Sequence, residues 1–151
     1  QAVHLADAVR RALYLLEPEC QRRAVTPVVL APEPVAVLAE PVALDQIVHN
    51  LLMNALQALD KVPAAERQLT LTLAASAGRG HLAVEDSGPG IPAEVLPRIF
   101  EPFFSTREGG LGLGLSLCET LATNLGGTLT AAARMPRGAT LRLTLPLAPP
   151  P

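Results

Sequence analysis

The sequence predicts one two-layer α/β domain, in which a mixed β-sheet is covered on one face by three helices. Three observations carry that prediction. A chain of 151 residues can bury a single core without disulfide or metal staples. The segments 4–22, 42–61 and 113–125 space their apolar residues at helical intervals, and the stretches between them alternate as strands. Two glycine clusters, one after a strand and one before a helix, mark places where the backbone turns sharply or comes close to a ligand. The domain is expected over residues 1–148, with 149–151 as a proline tail.

The first helix, 4–22, carries Leu5, Val9, Ala12, Leu13 and Leu16 on one stripe, with Arg10, Arg11, Arg22 and Arg23 mostly off it and Pro18 set to shorten or kink it. Val28–Leu30 and Val35–Leu38 read as short strands near a sheet edge, because Pro27, Pro32, Pro34 and Pro41 punctuate them. The second helix, 42–61, is the clearest element. Ile47, Val48, Leu51, Leu52, Ala55, Leu56 and Leu59 fall on one side, Gln46, Asn50, Asn54 and Gln57 on the other, and Pro63 closes it. Leu69, Leu71 and Leu73 alternate with Thr70 and Thr72 as a half-buried strand, which a hairpin through Gly78–Gly80 returns along 81–85. A short helical turn is expected at 93–99 and a long loop from Ile99 to Gly112, a length that in compact domains usually means a lid or binding loop. The third helix stacks Leu117, Leu121 and Leu125 and ends at Gly126-Gly127. Two strands, 128–132 and 140–145, close the domain through a turn at 136–138.

Composition excludes several functions. Aromatics are 3% of the chain and Trp is absent, so the core is Leu, Val and Ala. No apolar run reaches the roughly 20 residues that span a bilayer, which predicts no direct membrane contact and a cytoplasmic domain. The chain starts at Gln1 and is expected to be a piece of a longer protein, whose other parts could include an inner-membrane anchor. Net charge is −2 and the arginines are dispersed, which argues against nucleic acid as a partner. Lys61 is the only lysine and lies outside any Gly-Lys-Ser/Thr loop, so Walker A chemistry is ruled out. Cys20 and Cys118 have no CxxC spacing and read as idle buried thiols.

Four features point toward chemistry, each with a plainer alternative. The amide face of the second helix is either solvated or functional, and exposed helix faces favour Glu, Lys and Arg over Asn. Gly110-x-Gly112-x-Gly114 is a flexible loop, or a set of free N–H groups at a helix start whose dipole attracts phosphate. Arg107 either adds charge to that site or is a solvated loop arginine. Asp86 opens Asp-Ser-Gly-Pro-Gly, which suits an ordinary turn. It also suits an acceptor for the exocyclic amine of adenine, with Gly88 and Gly90 letting a flat base approach.

Taken together, Asn50-Leu51-Leu52-x-Asn54-Ala55, Asp86-x-Gly88-x-Gly90, Phe100-x-x-Phe103-Phe104, Gly112-x-Gly114, Gly126-Gly127 and Gly138-Ala139-Thr140 resemble the catalytic ATP-binding domain of bacterial sensor histidine kinases. The resemblance covers nearly the whole chain in the family's order, and Leu-Gln-Ala after Ala55 with the Phe-Phe-Ser-Thr segment is similar to the nitrogen-regulation and dicarboxylate-sensing branch. It implies a Bergerat-type α/β sandwich binding Mg-ATP. By that likeness Asn54 ligates Mg²⁺ and Asn50 lies beside the phosphates. Asp86 takes adenine N6, with Gly88 and Gly90 shaping the base pocket. Residues 92–110 form an ATP lid packed down by its three phenylalanines, with Arg107 where many relatives carry Lys. Gly110, Gly112, Leu113, Gly114 and Thr140 complete the nucleotide contacts.

The resemblance also implies partners: a dimerisation and histidine-phosphotransfer domain of the same parent protein, and a response-regulator receiver domain. The family's acceptor His is followed by an acidic residue in a helical hairpin, and His4, His49 and His81 lack that setting. Related ATPases of the gyrase, MutL and Hsp90 type place a Glu general base where this chain has Asn50. An amide cannot accept a proton from water, so kinase chemistry is favoured over hydrolysis. A nucleotide-binding scaffold without catalysis is the remaining alternative.

Overall fold

A computed structural model describes residues 1–102 and 114–149. The elements, in chain order, are β1 (Ala2–His4), α1 (Leu5–Leu15), α2 (Glu17–Arg22), β2 (Val28–Leu30), β3 (Ala36–Leu38), α3 (Pro41–Leu59), β4 (Leu69–Ser76), β5 (Arg79–Asp86), α4 (Gly114–Asn124), β6 (Thr128–Ala133) and β7 (Ala139–Pro146). Five strands form one mixed sheet in the order β2-β4-β5-β7-β6, with β2 parallel to β4 and the remaining pairs antiparallel. This is the two-layer sandwich expected, with α3 across the middle of the sheet between α1 and α4.

Alternation decides which face is covered. Leu69, Leu71 and Leu73 of β4, Leu82 and Val84 of β5, and Leu141, Leu143 and Leu145 of β7 are buried beneath the helices. Their neighbours Thr70, Thr72, Thr140 and Thr144 lie on the open face. From α3, Leu44, Ile47, Leu51, Leu52, Leu56 and Leu59 are fully buried, and each such side chain stabilises the fold by about 1.5–3 kcal/mol. Pro41 stands in the first turn of α3, where its missing N–H costs nothing, and the Glu40 carboxylate accepts from the Ala43 N–H at 2.8 Å as the N-cap.

Several elements differ from the sequence reading. Residues 2–4 form a strand rather than the approach to a helix, and pair antiparallel with β3 in a separate two-stranded sheet, so β3 is not in the main sheet. A three-residue strand is too short to leave a period. Pro18 splits the first helix, ending α1 at Leu15 and sitting in the first turn of α2. Arg23 is buried rather than superficial: its guanidinium grips both Asp60 oxygens at 2.8 and 3.2 Å and Glu19 at 2.7 Å, tying α2 to the end of α3. The helix 42–61 stops at Leu59, and Pro63 instead introduces a 3-10 turn at Ala64–Glu66. At 93–99 only Leu96–Arg98 is helical, as a 3-10 turn. On α4 the buried residues are Cys118 and Ala122, with Leu121 and Leu125 half-buried and Leu117 exposed. The small side chains let α4 approach α3 closely, turning the inward face one residue past the leucine stack.

Candidate nucleotide-binding surface

Asp86 is the last residue of β5 and is 4% exposed, an unusual position for a carboxylate. Its Oδ1 accepts from the Gly88 N–H at 2.9 Å. Burial raises its pKa above the ordinary carboxylate value, opposed by hydrogen bonds from the Gly88 and Ala139 backbones and by the charge of Arg134. Among the described residues it is the carboxyl whose pKa rises, and an acceptor with few protein donors at a turn suits an amine from outside.

The glycines of the turn are there for space. A Cβ on Gly88 would lie 2.9 Å from Asp86 Oδ1 and 3.1 Å from both the Cβ and the carbonyl oxygen of Ala58. Gly90 has φ +84°, and a Cβ there would press on the Gly138 carbonyl at 3.2 Å. Gly138, at φ +109°, passes so close to the Asp86 carbonyl that any side chain would collide with it.

The close approach of Gly88 to Ala58 joins the two halves of the site. Asn50, Asn54 and Ala58 are spaced i, i+4, i+8 on α3, so the half-buried amides run along one face for about 12 Å and end under the Asp86 turn. At the other end of that face, the Asn50 amide lies near Cys118, one turn inside α4, and Cys118 Sγ lies 3.9 Å from the Ile47 carbonyl oxygen. Burial pushes the Cys118 thiol up to about 11. The first turn of α4, beginning at exposed Gly114, therefore adjoins the amide face, where the positive end of the helix dipole favours an anion.

Asp86, Gly88, Gly90, Asn50, Asn54 and Gly114 are thus brought along one surface. Thr140 is not among them. It pairs with Glu85, one register step from Asp86, and so stands on the open face of the sheet; Ala139 is the β7 residue opposite Asp86. Arg107, Gly110, Gly112 and Leu113, with Phe103 and Phe104 of the expected lid, lie outside the described residues. Phe100 is half-buried against the core beside buried Ile99. For Mg²⁺, no cluster of three or more His, Cys, Asp or Glu exists among the described residues. Magnesium commonly takes one or two protein oxygens and fills its shell with phosphates and water, so a single Asn54 amide beside a phosphate site fits it.

Sequence reasoning missed the bracing of the turn. The buried Ser87 hydroxyl donates to the Glu66 carbonyl at 2.7 Å and accepts from the Gln68 N–H at 2.7 Å. Arg137 Nε donates to the Ser87 carbonyl at 3.2 Å, while its Nη2 reaches Glu66 at 3.2 Å. Arg134 donates to the Arg137 carbonyl at 2.8 Å and to Gln68 Oε1 at 3.2 Å. The available hint was two arginines flanking the turn before Gly138.

A buried carboxylate at a strand's end, a glycine turn against an amide-bearing helix and a helix start beyond it suit a nucleotide-binding α/β domain. The chain belongs to the "Histidine kinase-, DNA gyrase B-, and HSP90-like ATPase" family, whose model matches residues 39–149. It is 33% identical over 149 residues to the sensor histidine kinase ZraS of Klebsiella oxytoca, covering 97% of this chain and 31% of that protein. It is 38% identical over 112 residues to the sensor protein FixL of Bradyrhizobium diazoefficiens, covering 74% and 22%. The chain therefore spans about a third or less of these relatives. Among solved structures, the catalytic domain of histidine kinase ThkA, nucleotide-free, superposes with a TM-score of 0.86 at 26% identity over 97% of this chain and 94% of that one. Full-length ShkA in complex with AMPPNP gives 0.85 at 28% identity, covering 99% and 31%. Among the described residues, no helix is long and apolar enough to cross a membrane.

Proposed function

We propose that this chain is the catalytic, ATP-binding part of a sensor histidine kinase, which presents Mg-ATP to a histidine on the dimerisation and phosphotransfer domain of its parent protein. The observation that carries the proposal is the close approach of Gly88 to Ala58, because it sets the buried Asp86 acceptor and the Asn50/Asn54 amides along one surface. Asp86 accepts from the adenine amine, and Gly88 and Gly90 make room for the base. The amide of Asn54 holds the metal, which when bound neutralises charge on the β- and γ-phosphates. Asn50 and the first turn of α4 at Gly114 bind phosphate oxygens. An imidazole nitrogen then bonds to the γ-phosphorus as its bond to the β–γ bridging oxygen breaks, and ADP leaves. The phosphoryl group passes on to a response-regulator receiver domain.

Asn50 favours transfer over hydrolysis, since no carboxylate stands on that helix turn to activate water. The test is to mix the chain, ATP and Mg²⁺ with the parent's helical hairpin supplied as a separate chain. Acid-labile, base-stable phosphohistidine should form on the hairpin and none on this chain. Rapid hydrolysis by the chain alone would overturn the kinase reading in favour of an ATPase, and tight ATP binding with no transfer would make it a scaffold.

A further inference from the structure

We propose that Arg137 is a positioning residue for base recognition, holding the Asp86-Ser87-Gly88 turn so that the Asp86 carboxylate meets the adenine amine. This inference rests on the reading of Asp86 as the adenine acceptor and names what keeps that acceptor in place.

From its own sequence the turn is held by one side-chain bond, the Gly88 N–H to Asp86 Oδ1. The turn follows the last residue of β5, and Gly88 and Gly90 leave its backbone free. The rest of what fixes it comes from elsewhere. The 3-10 turn at 64–66 and the start of β4 engage the Ser87 hydroxyl from one side. From the other, the β6–β7 turn lays Gly138 against the Asp86 carbonyl, and its Arg137 closes the gap. The guanidinium bonds the Ser87 carbonyl through Nε and the Glu66 carboxylate through Nη2, linking three segments that are 21 and 50 residues apart from Ser87. Arg134 holds the β6–β7 turn itself: its Nη1 donates to the Arg137 carbonyl, and its backbone N–H donates to Gly138 at 3.0 Å. A planar fork on a carbonyl and a carboxylate constrains direction as well as distance, which lysine cannot do. The Arg137 side chain is 42% exposed, so replacing it opens no cavity and the fold survives.

The experiment titrates imido-bridged ATP and GTP analogues into the parent chain, Arg137→Gln, Arg137→Lys, Asp86→Asn and the Arg137→Gln/Asp86→Asn pair, with thermal unfolding alongside. Arg137→Gln should weaken the ATP analogue roughly tenfold and the GTP analogue far less, with the melting temperature little changed, and Arg137→Lys should recover only part of the loss. In the Asp86→Asn background the same substitution should add less than about threefold, because both residues act through one contact. A full tenfold loss persisting in that background would mean that Arg137 touches the nucleotide directly and would overturn the proposal. So would an equal loss for both nucleotides, or no loss. If Asp86→Asn itself leaves the adenine preference intact, the base-site reading fails and this inference with it; if only Arg137→Gln is silent, this inference alone fails.

Discussion

The two halves of the proposed nucleotide surface are built in opposite ways. The amide half comes from one element: Asn50 and Asn54 share a face because α3 is a helix, and the buried leucines on its other side fix the rotation. The base half is assembled. Asp86 ends one strand, and its turn is clamped by residues from around position 66, from α3 at Ala58 and from the β6–β7 turn. A helix face tolerates polar exchanges with little cost to the fold, whereas an assembled turn depends on contacts between segments far apart in sequence.

The largest expected effect sharpens that contrast on two glycines of the same sheet. Gly138→Ala must push a methyl into the Asp86 carbonyl at a left-handed φ, and should cost more than about 3 kcal/mol in chemical denaturation. Gly78→Ala has a left-handed φ of +75° but open space around it, and should cost only about 1 kcal/mol. Equal losses would mean that backbone strain, not the clamp on the turn, dominates.

Next comes Asp86→Asn, which keeps one acceptor for the Gly88 N–H but offers an amide to the base. It should weaken adenine over guanine discrimination by about 1–3 kcal/mol. Stability without nucleotide should hold or rise. Burial raises the Asp86 pKa, so the folded chain takes its proton at a higher pH than the unfolded one. Its contribution to stability is therefore greatest at acid pH and declines as pH rises from the ordinary carboxylate value through the raised one. ATP affinity has the opposite slope, weakening as pH falls through the raised value, because the amine bonds an ionised carboxylate more strongly than a protonated one. Asp86→Asn should flatten both profiles; unchanged profiles would place the titrating group elsewhere.

The smallest effect on the fold belongs to the helix half. Asn54→Asp puts a carboxylate on a half-buried polar face, and should change the Mg²⁺ dependence of ATP binding while moving unfolding free energy by no more than about 0.5 kcal/mol. An unaltered metal titration would remove Asn54 as the ligand.

The same contrast explains what could be read in the sequence. Helix α3, the β4–β5 hairpin, the closing strands and the glycine turn after Asp86 announce themselves by period or turn residues within a short window. The placement of Asp86 and the two asparagines was legible for that reason. Arg137 was not, because its partners lie 50 and 71 residues away and an arginine beside a turn looks solvated. Thr140 went to the wrong face through proximity in sequence: one register step on β7 separates the side facing Asp86 from the open one. Leu117 failed similarly, since a stack of leucines on α4 mattered less than the small Cys118 and Ala122 that fit beneath α3.

The β4–β5 hairpin turns through Ala77 and Gly78, both at left-handed φ, with residues 74–79 exposed. From there β5 runs about 24 Å to Asp86, the length of the strand. That distance makes the hairpin tip the natural attachment point for a fluorophore, a surface tether or an inserted affinity tag. A reporter fixed there would follow the domain's tumbling and docking while leaving its nucleotide chemistry alone.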